Sequence, residues 1–484
     1  MRYGIVVVTA IFYATVSLHF EYTPDASYIS FRVATNLVDG EGLVFNRGEM
    51  SAGTSGPLWS LILAGGVWGG LDAPLVAKTF DLVFACLSLF GVYFLAFLIL
   101  RDKVAAFFAA LLFSVDAWVL RAGASGLGFS LALFLVVVSL WYGFRRDYGV
   151  ASFVCGFLIL SAPLEGMLLW GVLMIDAIGV WRREGVVPAR LFRSVALVLV
   201  SVGPWVVYAL QASASPFEGL PVESFTGTPF AGPAGEGSGL ALLWYAASGG
   251  ILIVLLIAGH VQAVRRSDWR LLAPSSFPLV WAFAAVAINV AFNPGGVFRS
   301  WVLVSPVLVI YGLLGLYYLS LFWIGIGQRS TVALLVVVVG ILLANQIVYR
   351  AKVLPDMNRT TLEMEQQVRP MAHWLRSRID RTKPLIAPYG GMIGWITRAD
   401  VRTPALPWNG KDSDARGSVH AASSSSRFAA VIDRSVSPTR LSSVALVPLR
   451  TWGSLGGEGV SYTAYVDPAV RDSLAVFGLE HNPN

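Results

Sequence analysis

This chain of 484 residues has little charge: Asp, Glu, Lys and Arg make up 13% of it, against 56% hydrophobic side chains. Soluble globular domains carry about 25% charged residues, so the composition excludes an ordinary soluble domain and leaves a polytopic membrane protein. Only two cysteines occur, Cys86 and Cys155, both inside apolar runs. They form no disulfide framework and report nothing about redox compartment. The five histidines, His19, His260, His373, His420 and His481, have no ligand spacing, so there is no metal motif. A phosphate-cradling glycine loop and a nucleophile elbow are both lacking. Lys and Arg outnumber Asp and Glu by 35 to 29. Basic loops that meet anionic lipid explain that balance, and it does not point to nucleic acid.

Apolar runs are abundant. Segments of roughly 17 to 25 such residues lie at 3–20, 75–100, 104–120, 126–143, 149–162, 164–181, 192–210, 240–264, 274–292, 300–325 and 331–349. They amount to about eleven crossings. The first has no small-x-small cleavage site and reads as a retained anchor. The pair at 149–162 and 164–181 is short and broken by Pro163, which also fits a re-entrant hairpin. Charge decides the stretch from Pro57 to Leu71. If it lies flat at the interface, Arg2, Arg101, Lys103, Arg145, Arg146, Arg182 through Arg193, Arg265 through Arg270 and Arg329 all fall on one side. That is the positive-inside pattern. It predicts an interfacial helix, a cytoplasmic N-terminus, a first external loop at 21–74 and an external C-terminal region.

Two units follow, a transmembrane domain at 1–349 and an external domain at 350–484, where apolar runs give way to Pro, Ser and charge. In the latter, Leu385 to Trp395 and Ser443 to Leu449 read as strands, predicting a small soluble α/β domain. In the first loop, Thr23 is the expected N-cap with Pro24 at the first helical position, and Gly40 is the stop, so a helix runs from about Pro24 to Asp39. On a 3.6-residue period Asp25, Arg32 and Asn36 share one stripe. Asp81 lies one turn from Lys78, the spacing of an ion pair.

The order Asp25-Ala-Ser-Tyr-Ile-Ser-Phe-Arg32, Asn36-Leu, Gly40-Glu-Gly-Leu-Val-Phe-Asn-Arg-Gly-Glu49 and Thr54-Ser-Gly-Pro-Leu-Trp59 resembles the first periplasmic loop of bacterial GT-C glycosyltransferases. That group includes the protein O-mannosyltransferases and the lipid A aminoarabinose transferases. Arg121 to Gly126, Ser161 to Gly166, Gly295 to Arg299 and Ile386 to Trp395 resemble further landmarks of the same group. The chain departs from the pattern at Ala26, where relatives have a second acid, at Gly128-Phe129, where they have Glu-Thr, and at Ala162, where they have Arg.

The resemblance implies an α-helical polytopic membrane protein of GT-C type in the inner (plasma) membrane. It also implies transfer of a sugar from a polyprenyl-phosphate donor to a hydroxyl of an envelope glycan, lipid or protein acceptor on the external face. By the same resemblance Asp25 is the catalytic base. Arg299, Arg121 and Arg32, in that order, are the candidates for the phosphate, with Glu165 and Asn36 as substrate contacts. A lipid-linked donor is the implied cofactor, and the sequence says nothing for or against a divalent metal. Two other readings stay open: a degenerate GT-C-like protein that binds or transports lipid or glycan, and a polysaccharide polymerase or ligase.

Overall fold

The computed structural model describes residues 2–47, 56–184, 187–212, 238–265, 276–292, 297–323, 328–377, 385–386, 390–402, 430–435, 447–452 and 461–466. Its helices are α1 Arg2–Ser17, α2 Asp25–Val38, α3 Pro57–Trp68, α4 Ala73–Leu100, α5 Lys103–Ser114, α6 Ala117–Ser125 and α7 Phe129–Phe144. They continue as α8 Tyr148–Ser161, α9 Pro163–Glu184, α10 Val187–Ala212, α11 Ser238–Arg265, α12 Ser276–Phe292, α13 Val297–Trp323 and α14 Gln328–Val348. Apolar runs fold as helices because lipid offers backbone amides no partner, so each amide must pair within its own segment. Among the described residues six helices are long and apolar enough to cross a membrane, or seven if α5 and α6 count as one span. The chain is a polytopic helical membrane protein.

Helix α13 is the hub. Over its most apolar window 83% of residues are buried, whereas the other five candidate spans bury 22–39% and turn large side chains such as Ile175, Phe192 and Val254 outward. Close approach to α11 depends on small residues, since a Cβ on Gly259 would overlap the Gly315 backbone.

Several expectations are corrected. The run 104–120 is not one straight helix: α5 ends at Ser114 and α6 departs at 61°. The cause is Asp116, whose Oδ1 accepts from the Trp118 and Val119 amides at 2.9 and 3.1 Å and so founds a new N-terminus. Helix α14 does not end a helical path at 349. The path continues through a π-turn Tyr349–Val353, α15 Leu354–Glu363, a second π-turn Met364–Val368 and α16 Arg369–Arg376. Among the described residues of the stretch Leu385 to Trp395, β1 Leu385–Ile386 is strand, and from Gly390 the chain is helical in α17 Gly390–Thr397. Of the strand expected at Ser443 to Leu449, the described part lies in the strand Val447–Trp452.

β1 joins β2 Val401–Arg402, β3 Ala430–Ser435, β4 Val447–Trp452 and β5 Ser461–Val466 in a sheet of order β2-β1-β3-β5-β4. β1 pairs in parallel with β2 and β3, while β5 pairs antiparallel with β3 and β4.

Candidate active site

Helix α2 spans Asp25 to Val38, as its sequence predicts, but Pro24 is the N-cap and Thr23 makes no cap bond. Its inner face carries Tyr28, Phe31, Arg32 and Asn36, all buried. Asn36 holds the chain reversal after the helix, its Nδ2 donating to the Val44 and Phe45 carbonyls at 2.9 and 3.1 Å. Arg32 does not pair with Asp25. It approaches Asp400 at 3.8 Å and stacks on the Phe45 ring, 4.5 Å from its centroid.

The Asp25 carboxylate faces α17. Its Oδ2 accepts from the Gly391 amide at 3.0 Å and its Oδ1 from the Met392 amide at 2.7 Å. An ionised carboxylate suits the unpaired amides at a helix start. Burial pushes this carboxyl up to about 6, while the two amides pull it down. A base with a value there is ionised at neutral pH and accepts a proton readily.

Beside Asp25, Ser27 ties α2 to α6 by donating to the Ser125 carbonyl at 2.9 Å. One turn earlier in α6 is Arg121, inside the helix, with only 2% of its surface exposed. Its Nε donates to the Tyr22 hydroxyl at 3.2 Å, and its Nη1 lies 3.5 Å from Asp356 Oδ2. Lys352 reaches the same oxygen at 3.4 Å. The buried Lys78 ammonium donates to the carbonyls of Tyr22 and Ala124. The expected Lys78–Asp81 pair is replaced by a helix cap: Asp81 takes the Ser130 amide at 3.1 Å and the Gly128 amide at 3.4 Å, at the start of α7.

A second polar group assembles on the far side of Phe298, whose ring lies under the Arg121 guanidinium at 5.9 Å. Arg299 lies in the first turn of α13, and its Nε donates to Glu165 Oε1 at 3.1 Å. The same oxygen accepts from Ser300 at 2.8 Å and lies 3.5 Å from Asn289 Nδ2, while Trp281 donates to the Glu165 carbonyl at 2.9 Å. The structure thus joins Glu165 to Arg299 and brings Arg121 to their border, but gives Arg32 and Asn36 to the C-terminal side of α2. Lys78, Lys352, Ser300 and Asn289 were missed in sequence reasoning. A buried lysine in a membrane helix was the available signal for Lys78, and nothing local marks the others.

Trp59 accounts for one departure from the GT-C loop pattern. A Cβ on Gly128 would sit 2.5 Å from the Trp59 ring, and φ there is +78°, so no Glu side chain fits. Trp59 itself is fixed by donating to the Gly126 carbonyl at 3.2 Å. Among the described residues no three His, Cys, Asp or Glu side chains are grouped to hold a metal ion.

No family model and no curated protein matches this sequence. Solved structures do. ArnT from Cupriavidus metallidurans, bound to undecaprenyl phosphate, superposes with a TM-score of 0.52 at 14% identity, covering 95% of this chain and 97% of ArnT. Its apo state gives the same TM-score at 15% identity. The chain has the GT-C fold. The arabinosyltransferase EmbB from Mycobacterium smegmatis is more distant, at a TM-score of 0.42 and 11% identity over 93% of this chain and 45% of EmbB. Asp25 opens α2 and Arg299 lies in the first turn of α13, while Arg121 lies within α6.

Proposed function

We propose that this protein is a membrane glycosyltransferase that moves a sugar from a polyprenyl-phosphate donor to an acceptor hydroxyl on the external face. The observation that carries the reading is the charge around Tyr22. Arg121 and Lys352 converge on one oxygen of Asp356, and Lys78 lies across the Tyr22 ring, 6.0 Å from its centroid. Asp81, the other acid beside Lys78, is occupied with amides. Three basic side chains, Arg121, Lys352 and Lys78, thus gather in a mostly buried place. A phosphate placed between them accepts charge-assisted hydrogen bonds from more than one of these groups. The GT-C fold, seen in a protein crystallised with undecaprenyl phosphate, supports the same ligand class.

In this reading Asp25 takes the proton of the acceptor hydroxyl as its oxygen bonds to the anomeric carbon. The bond from that carbon to the phosphate oxygen breaks, and the electron pair leaves with the lipid phosphate. Arg121 and Arg299 stabilise that charge. Glu165, pinned to Arg299, orients the guanidinium and offers its second oxygen to sugar hydroxyls. Arg32 and Asn36 serve by shaping the first loop. The topology belonging to this reading has eleven crossings: the six long spans, the bent α5–α6 pair, and four of the five shorter apolar helices, with α3 lying in the interface. It has a cytoplasmic N-terminus and an external α/β unit at 350–484.

The test is sugar transfer by purified protein in lipid, using a panel of polyprenyl-phosphate sugars and envelope acceptors. We expect Asp25→Asn to lower kcat by about 100-fold or more. In the wild type kcat should fall as pH drops through about 6, because the base works only when ionised. Undiminished transfer by the variant removes Asp25 from the role. A second reading, a GT-C protein that binds lipid-linked glycan without transferring it, draws on the Trp59 ring that fills the place of a lost acid at Gly128. Donor binding with no transfer from any donor favours it.

A further inference from the structure

We infer that α17 is part of the catalytic centre, and that the Gly391 and Met392 amides are the positioning groups that aim the Asp25 carboxylate at its acceptor. This rests on Asp25 being the base. A carboxylate offers about four acceptor directions. The two amides occupy one on each oxygen and fix the plane of the group, leaving a direction on each for an incoming hydroxyl.

The contact is built for that closeness. A Cβ on Gly391 would overlap the Asp25 carbonyl oxygen and lie 3.0 Å from its Cγ, so only glycine lets the amide come within bonding distance. One turn on, a Cβ on Gly394 would overlap Arg32 Nη1. The helix is fixed from outside as well. Trp395 packs on Tyr28 and Phe31 at centroid distances of 5.4 and 6.2 Å, and Arg369 donates to the Tyr28 hydroxyl at 3.2 Å. α17 therefore follows the whole inner face of α2 from Asp25 to Arg32, and its orientation sets that of the carboxylate.

A helix cap that served stability alone would not need to bear on the acid of the reaction, and the two roles separate experimentally. The charged and titratable groups on α2 and the elements around it include Tyr28 and Arg32 on α2, Lys78 and Asp81 on α4, Arg121 on α6, Glu365 in the second π-turn, Arg369 on α16, and Arg398 and Asp400 just after α17. Gly391→Ala alters none of them. In full-length protein in lipid, given the polyprenyl-phosphate sugar that supports transfer, we expect Gly391→Ala to lower kcat by about 100-fold through misplacement of the base. We expect donor KM to change less than kcat, and the acid limb of the pH profile to move upward as the ionised form loses its donors. A merely unfolded fraction lowers the plateau and leaves the limb in place.

If Asp25→Asn abolishes transfer while Gly391→Ala keeps both rate and limb, the inference is wrong and the base reading survives. If Asp25→Asn transfers normally, the base reading fails first. Should Gly391→Ala not fold, hydrogen exchange decides: faster exchange of the 390–397 amides in Asp25→Ala than in wild type supports the contact, and unchanged exchange overturns it.

Discussion

At the residue scale, three acids share one use. Asp25, Asp81 and Asp116 each accept backbone amides at a helix start, and only Asp116 does so for the helix it begins. Sequence spacing suggested an ion pair for Asp81 because Lys78 is one turn away, but the partners chosen, at Gly128 and Ser130, are 47 and 49 residues distant. No local pattern encodes that choice. Arg299 and Glu165 were each legible alone as polar residues at helix ends; their meeting across 134 residues was not. Gly128 gives a sharp test. Alanine there meets the Trp59 ring and a φ of +78°, so Gly128→Ala should cost about 1–3 kcal/mol and lower Tm measurably in detergent. An unchanged Tm would mean that Trp59 does not fill that space.

At the element scale, the long apolar runs were readable because a membrane span needs little beyond length and hydropathy. Breaks and caps were harder. The bend at Asp116 looks, in sequence, like one more residue of a span, since its effect appears only once the side chain turns back on its own amides. The misread of α17 as strand has a similar cause: Gly390-Gly391 is poor helix material, and the start of that helix is stabilised by an acid from the other end of the chain. The cap on α7 yields a prediction of the same kind. Asp81→Ala should strip two amides of their acceptor and cost about 1–2 kcal/mol, read as faster hydrogen exchange over Phe129–Leu133. Asp81→Asn, which keeps an acceptor oxygen, should lose less. Equal exchange in all three proteins would show that the cap contributes nothing.

At the scale of the whole molecule, the fold was legible from loop motifs, whereas its orientation in the membrane rests on loop charge. Labelling settles it. A cysteine at exposed position 376 should react with an impermeant maleimide from outside intact cells, and one at exposed position 146 only after the membrane is opened. The reverse result would invert the topology and move the proposed chemistry to the other face.

The bond between Asp25 and Gly391 spans 366 residues. At ribosomal speeds of about 5–20 residues per second, the first loop waits roughly 20 to 70 s before its partner is synthesised. During that interval every membrane helix up to α14 has been made, yet Asp25 lacks its two amides. A product stalled before α17 would therefore hold the membrane helices α1–α14 with an unset base, so that competence arrives only when α17 does.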